Sequence, residues 1–218
     1  MKMTKEEQLR AISDAGVVAV LRTSSADELI NICTAMAEGG IMGVEITMTS
    51  PGALEAIEEA AARLAGKAII GAGSVLDPET ARACILAGAD FIVSPVFNPG
   101  MVELCRRYSK IVIPGAFTPT EILNAWQAGA DVVKVFPATK LGPSFIKDVL
   151  GPMPQVKLTP TGGVDLDNMG EFLKAGAVFV GAGSSLVDKA LVRAGSWEEL
   201  AARAARFVAE AKRARGQA

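Results

Sequence analysis

The 218-residue sequence contains no histidine, which removes the commonest general base and the commonest metal ligand together. Acid–base chemistry must then come from carboxylate, lysine, hydroxyl or water, and neither a metal nor another cofactor is expected. Cysteine is scarce: Cys33, Cys84 and Cys105 lie far apart in stretches that read as helices, without CxxC spacing and with one necessarily unpaired. They are expected to be reduced core residues. Neither sign of charge dominates, with 22 Lys and Arg against 24 Asp and Glu, so no basic face is left for a nucleic-acid backbone to select. No apolar run is long enough to span a bilayer, and the polar start Met1-Lys2-Met3-Thr4-Lys5-Glu6-Glu7-Gln8 lacks the apolar stretch of a signal peptide. A cytoplasmic protein without nucleic-acid or membrane partners is expected. The dinucleotide fingerprint G-x-G-x-x-G is missing as well, because Gly71-Ala-Gly73 is followed by Leu76 where the third glycine would stand.

What the chain does have is an apolar content of 50%, enough to bury one full core over residues 1–218 as a single domain. Short β-branched runs alternate with longer segments of helical period from end to end, the pattern of successive βα units on a parallel sheet. Eight strands are expected: Val17–Arg22, Gly43–Thr47, Ala68–Gly73, Phe91–Ser94, Ile111–Gly115, Val132–Phe136, Lys157–Thr161 and Val178–Gly181. Helical stretches include Ala26–Glu38, Pro51–Leu64, Pro78–Ala87, Pro119–Ala128 and Leu166–Ala175, with a final helix near Ser196–Arg213. Gly39, Gly88, Gly129 and Gly176 each follow a helix just before an even-numbered strand, at intervals of 49, 41 and 47 residues. They fit left-handed helix stops, and the interval is that of two βα units. The expected fold is an α/β single-domain (β/α)8 barrel with an N-terminal helix and a C-terminal closing helix, its active site built from short loops.

Two ionisable residues sit where this pattern expects apolar ones. In Asp131-Val-Val-Lys-Val-Phe-Pro137, Lys134 shares a strand face with Val132 and Phe136, while Val133 and Val135 take the other. Both faces are apolar, so the lysine is buried. Burial disfavours the charged amine and supplies a nucleophile able to form a Schiff base with a ketone. The alternatives are a lysine paired to a carboxylate for register, or one whose amine snorkels to the rim. Glu45 presents the same anomaly in Gly43-Val-Glu-Ile-Thr47, sharing a face with Thr47. The two are expected to meet at the barrel centre, with Glu45 as general base or as a purely structural partner of Lys134.

Two glycine-rich turns, Thr161-Gly162-Gly163-Val164 and Gly181-Ala-Gly183-Ser184-Ser185, follow the last two strands, where barrels commonly hold a phosphate on backbone N–H groups. Simple tight turning is the alternative. Arg22 ends the first strand on the inward parity of Val18 and Val20 and is placed to hold a substrate carboxylate, or else to make a surface salt bridge. Ser74 ends the third strand, where it either contacts that carboxylate or caps the helix beginning at Pro78. Lys140 and Lys147 read as solvated.

Taken together, Glu45 in Val-Glu-Ile-Thr, Gly71-Ala-Gly-Ser-Val75, Ile92-Val-Ser-Pro95, Pro114-Gly115, Lys134 in Val-Lys-Val-Phe-Pro and Pro160-Thr-Gly-Gly-Val164 resemble the 2-keto-3-deoxy-6-phosphogluconate (KDPG) and 4-hydroxy-2-oxoglutarate (KHG) aldolase family of class I aldolases. The resemblance runs from Val17 to Val187. It implies Lys134 as Schiff-base nucleophile, Glu45 as general acid/base, Thr161 as a substrate-contacting hydroxyl, and Gly162, Gly163, Gly183 and Ser184 around a phosphate. Thr47, Pro95 and Phe136 complete the expected substrate contacts. It also implies pyruvate and glyceraldehyde 3-phosphate as products, and a homotrimer. Two departures stand out. Thr49 lies where some members carry an arginine, leaving Arg22 as the substitute for the pyruvate carboxylate, and Ser74 replaces a usual threonine but keeps the hydroxyl. The galactonate epimer and 4-hydroxy-2-oxoglutarate remain alternative substrates. An oligomeric scaffold, or a barrel isomerase or decarboxylase without a reducible adduct, are the other readings.

Overall fold

The structure is a computed structural model that describes residues 3–22 and 26–217. Among the described residues, helix α1 (Lys5–Ala15) precedes strand β1 (Val17–Leu21). There follow α2 (Ala26–Glu38), β2 (Gly43–Thr47), α3 (Ala53–Arg63), β3 (Ile69–Gly73), α4 (Pro78–Leu86), β4 (Phe91–Val93) and α5 (Pro99–Arg107). The second half runs β5 (Ile111–Ile113), β6 (Gly115–Ala116), α6 (Pro119–Gln127), β7 (Val133–Val135), α7 (Gly142–Leu150), β8 (Leu158–Pro160), α8 (Met169–Lys174), β9 (Val180–Ala182), α9 (Lys189–Ala194) and α10 (Trp197–Ala214). Pro opens α4, α5 and α6, and each N-cap (Asp77, Asn98, Thr118) accepts a backbone N–H from the first turn.

All strand pairs are parallel, in a six-stranded sheet ordered β5-β4-β3-β2-β1-β9 and a three-stranded sheet ordered β6-β7-β8. The expected α/β alternation is present, but one continuous eight-stranded sheet is not. The expected fifth strand, Ile111–Gly115, divides at Pro114. Proline has no N–H to give to a ladder, and the Gly115 N–H turns to the Val96 carbonyl. A β-carbon at Gly115 would fall on the Pro95 backbone, so only glycine fits where the chain changes sheets. Across the other seam, Thr161 bridges Gly181 and the Val178 N–H donates to the Leu158 carbonyl at 2.9 Å.

Alternation along each strand separates two apolar layers. Val17, Ala19, Leu21, Val44, Ile46, Val133 and Val135 face the helices. Val18, Ile69, Phe91, Val93, Ile111, Ile113, Val132 and Phe179 form a smaller inner core. Ile12 of α1 belongs to that inner layer, fully buried; its burial contributes roughly 1.5–3 kcal/mol. The helix is set there by a Thr4–Glu7 capping box and a left-handed stop at Gly16. Gly88, Gly129 and Gly176 adopt the expected left-handed conformation, with φ of 106°, 96° and 109°. Gly39 does not. The left-handed residue is its neighbour Gly40, and Gly39 instead lets α10 approach, since a β-carbon there would strike Ala204 and the Ala201 carbonyl.

All three cysteines are buried and free, and burial pushes their thiols up to about 12, 11 and 12 for Cys33, Cys84 and Cys105. No helix among the described residues is long and apolar enough to cross a membrane.

Candidate active site

Lys134 enters the site from the middle of β7, paired with Gly115 on one side and Thr159 on the other. Only 6% of it is exposed, and its amine lies 4.9 Å from the centre of the Phe136 ring. The ring face stabilises positive charge on that nitrogen. Glu45 enters from β2 between Val20 and Gly71 and is 3% exposed. Its carboxylate occupies space that exists only because residue 73 is glycine: a β-carbon at Gly73 would coincide with the Glu45 carboxylate.

Lys134 and Glu45 both line a small inner cavity of about 10 Å³, together with Val18, Val93, Ile113, Thr159, Thr161, Phe179 and Gly181. Burial raises the Glu45 pKa above 4.5, and the charges of Lys134 and then Arg22 oppose that rise without cancelling it. A carboxyl group in this state holds a proton more readily than one in water, which suits an acid that must also act as a base. Lys134 and Glu45 thus line one cavity, and the Lys134 amine lies against the Phe136 ring.

Above the inner cavity opens a cleft of about 1170 Å³ that shares Thr161 and Gly181 with it. Arg22, Thr47, Thr49, Phe136, Gly162, Gly163, Gly183 and Ser184 are among the residues that line it. Thr47 Oγ1 lies 3.1 Å from Thr49 Oγ1 and 3.4 Å from Ser50 Oγ, so the position that lacks arginine carries a hydroxyl cluster instead. Gly162 and Gly163 both have positive φ, at 92° and 70°, and their N–H groups make no backbone hydrogen bond among the described residues. Two adjacent donors are thus left free in a turn of the cleft wall.

The two glycine turns are tied together. Ser185 Oγ donates to the Val164 carbonyl at 2.6 Å, and Arg203 of α10 donates two N–H groups to the Ser185 carbonyl at 2.9 and 2.6 Å. Asn168 Nδ2 donates to the Gly163 carbonyl at 2.8 Å.

Ser74 and Pro95 stand outside both linings. Ser74 adopts φ of 58°, and the cap of α4 is Asp77, not Ser74. Lys140 and Lys147 are exposed, as expected. Lys189 and Arg193 of α9 also line the cleft, a contribution missed in the sequence because a short helix with two cations reads as a solvated surface. Among the described residues no group of three or more Cys, Asp or Glu side chains is arranged to hold a metal ion.

Comparison with known proteins places these features in context. Residues 8–203 match the family described as "Aldolase: KDPG and KHG aldolase". A 2-dehydro-3-deoxy-phosphogluconate aldolase of Haemophilus influenzae is 32% identical over 201 residues, covering 92% of this chain and 94% of the relative. A 2-dehydro-3-deoxy-6-phosphogalactonate aldolase of Escherichia coli K12 is 34% identical over 194 residues, covering 88% and 92%. Among solved structures, the KDPG aldolase of Legionella pneumophila, with pyruvate captured at low pH as a covalent carbinolamine intermediate, superposes with a TM-score of 0.84. It is 26% identical, and the match covers 92% of this chain and 97% of that one.

Proposed function

The chain belongs to the KDPG and KHG aldolase family and is an aldehyde-lyase; from that premise we propose that it reversibly cleaves 2-keto-3-deoxy-6-phosphogluconate to pyruvate and glyceraldehyde 3-phosphate, through a Schiff base on Lys134. The observation that carries this reading is the joint burial of Lys134 and Glu45 around one cavity, beneath an open cleft with two free N–H donors in its wall.

The substrate phosphate rests against Gly162, Gly163, Gly183 and Ser184, with Lys189 and Arg193 adding positive charge. Arg22 and the Thr47 hydroxyl take the carboxylate end. The neutral amine of Lys134 adds to the ketone carbon and gives a carbinolamine. Glu45 donates a proton to the departing hydroxyl, water leaves, and an iminium remains. The resulting Glu45 carboxylate then accepts the proton of the C4 hydroxyl as the C3–C4 bond breaks, the bonding electrons passing into the iminium to give an enamine. The aldehyde departs, the enamine carbon takes a proton, and water releases pyruvate and the free amine.

The two parallel sheets are read as one closed (β/α)8 barrel and one domain, supported by the Thr161–Gly181 bridge and by the Lys134 N–H donating to the Pro114 carbonyl at 2.9 Å. Exposed Leu76, Leu86, Val96, Phe117 and Leu123, from consecutive βα units, support self-association, read here as the homotrimer that the family resemblance implies. A cytoplasmic setting fits a small phosphorylated substrate.

Borohydride reduction in the presence of pyruvate, followed by peptide mapping, tests the central claim. The expected label is on Lys134; label on another lysine, or none, overturns it. Relative rates on the gluconate and galactonate epimers then assign the substrate, since the two curated relatives differ in that respect.

A further inference from the structure

One polar atom in the inner cavity has no place in the scheme above. The hydroxyl of Thr159 is buried, with the residue 3% exposed, and has no hydrogen-bond partner among the described residues. An unpaired buried hydroxyl costs free energy that a valine of the same shape would avoid. Its location is specific. Thr159 sits in β8 directly in register with Lys134 and on the face of β8 shared with Thr161, while Leu158 turns outward to the helices. It faces the same cavity as Glu45 and Lys134.

That cavity, at about 10 Å³, is the size of one water molecule. A buried water needs two to four polar partners. Thr159, Glu45 and Lys134 supply three, while Val18, Val93, Ile113 and Phe179 leave no other polar side chain there but Thr161.

We infer that Thr159 is a positioning residue, whose hydroxyl anchors a single buried water between the Glu45 carboxyl and the Lys134 amine on the closed side of the site. The inference rests on the Schiff-base reading and deepens it. The Thr159 hydroxyl donates to the water, and the water donates to Glu45. When Glu45 has released its proton toward the cleft, this chain solvates the carboxylate left behind, which the apolar wall does not. No proton is gained or lost overall. The groups that act on Glu45 are Lys134 on β7 and Arg22 beyond β1; the other walls of the cavity carry no titratable side chain.

Thr159→Val removes the hydroxyl and keeps the shape; Thr159→Ser restores the hydroxyl. With the anchor gone, the Glu45 carboxylate is less well solvated, so the acid limb of kcat moves to higher pH by about one unit, the worth of one hydrogen bond to a charged group. The expected result is that shift in the valine variant with KM unchanged, and a parent-like profile in the serine variant. A valine variant that is more stable than the parent, with its pH profile unmoved, overturns the inference. A high-resolution crystal structure of the parent decides the matter even if the valine variant does not fold: ordered solvent within hydrogen-bond distance of Thr159 Oγ1 supports the anchor, and its absence refutes it. Borohydride labelling of Lys134 in the parent separates the two claims. Label without the solvent site sinks Thr159 alone, whereas no label sinks the Schiff base, whatever the solvent shows.

Discussion

Substituting alanine for Gly73 tests the placement of Glu45 without touching a reactive group. The added β-carbon would coincide with the Glu45 carboxylate, which must move by about an ångström or more to regain van der Waals separation. A misplacement of about 1 Å in a catalytic group costs roughly 10²-fold in rate. Overpacking itself costs about 1–3 kcal/mol, which for a domain of this size lowers Tm by about 2–12 °C. Gly71→Ala is the matched control. It lies two residues earlier on the same face of β3, and its β-carbon would meet the Phe91 ring in the apolar inner core instead. Both variants should therefore lose similar stability in thermal melts. In a coupled assay of aldol cleavage, only Gly73→Ala should lose about 10²-fold in kcat. Equal losses of activity in both would mean that general strain, not the carboxylate, was responsible. Unchanged kcat in Gly73→Ala would show that the position of Glu45 does not govern proton transfer.

Glu45→Gln should reduce kcat by about 10²–10⁴-fold while pyruvate can still be trapped slowly on Lys134. The same variant has a pH signature in stability. Because the folded Glu45 pKa is raised, the native state binds its proton more tightly than the unfolded chain does, so the parent loses stability as pH climbs from 4.5 through the folded value. Glutamine does not titrate, so melts should show its stability relative to the parent growing across that window; a constant difference would contradict the raised pKa. The double variant Lys189→Ala with Arg193→Ala should raise KM for the phosphorylated substrate about fivefold, with the effect shrinking as salt is added and no change for an unphosphorylated 2-keto acid. Arg203→Leu removes both N–H donors from the Ser185 carbonyl. It should cost about 1–3 kcal/mol and weaken binding of inorganic phosphate, measured by calorimetry. The three thiols should resist a neutral-pH thiol reagent in the native protein and react on unfolding, since burial holds them near 11 to 12.

Much of the architecture was legible because burial imposes a period on the sequence. Lys134 and Glu45 stood out as charges flanked on their strands by Val133 and Val135 and by Val44 and Ile46, and a shared interior is the arrangement that explains both. The break at Pro114 was equally visible in principle, as a residue that cannot donate inside a ladder. It was obscured because Ile111–Ile113 and Gly115 together look like one strand. Thr159 was hidden for the opposite reason. A threonine in a strand fits ordinary β-propensity, and only the fold, with its register against Lys134, reveals that its hydroxyl has no partner among the described residues. The exchange of roles between Gly39 and Gly40 was also beyond sequence reading. One glycine is required by backbone conformation and its neighbour by the approach of α10, and both requirements spell the same residue.

Ile12 seats α1 against the inner core, and on the proposed closed-barrel reading that leaves the site a shaft with one door. On the proposed chemistry, pyruvate stays tethered at the bottom while the aldehyde, nearer the opening, must depart before hydrolytic water can arrive. Release is therefore ordered by geometry. On the same reading, a different aldehyde entering during that interval would meet the waiting enamine, so the order of release and the choice of acceptor would share one cause.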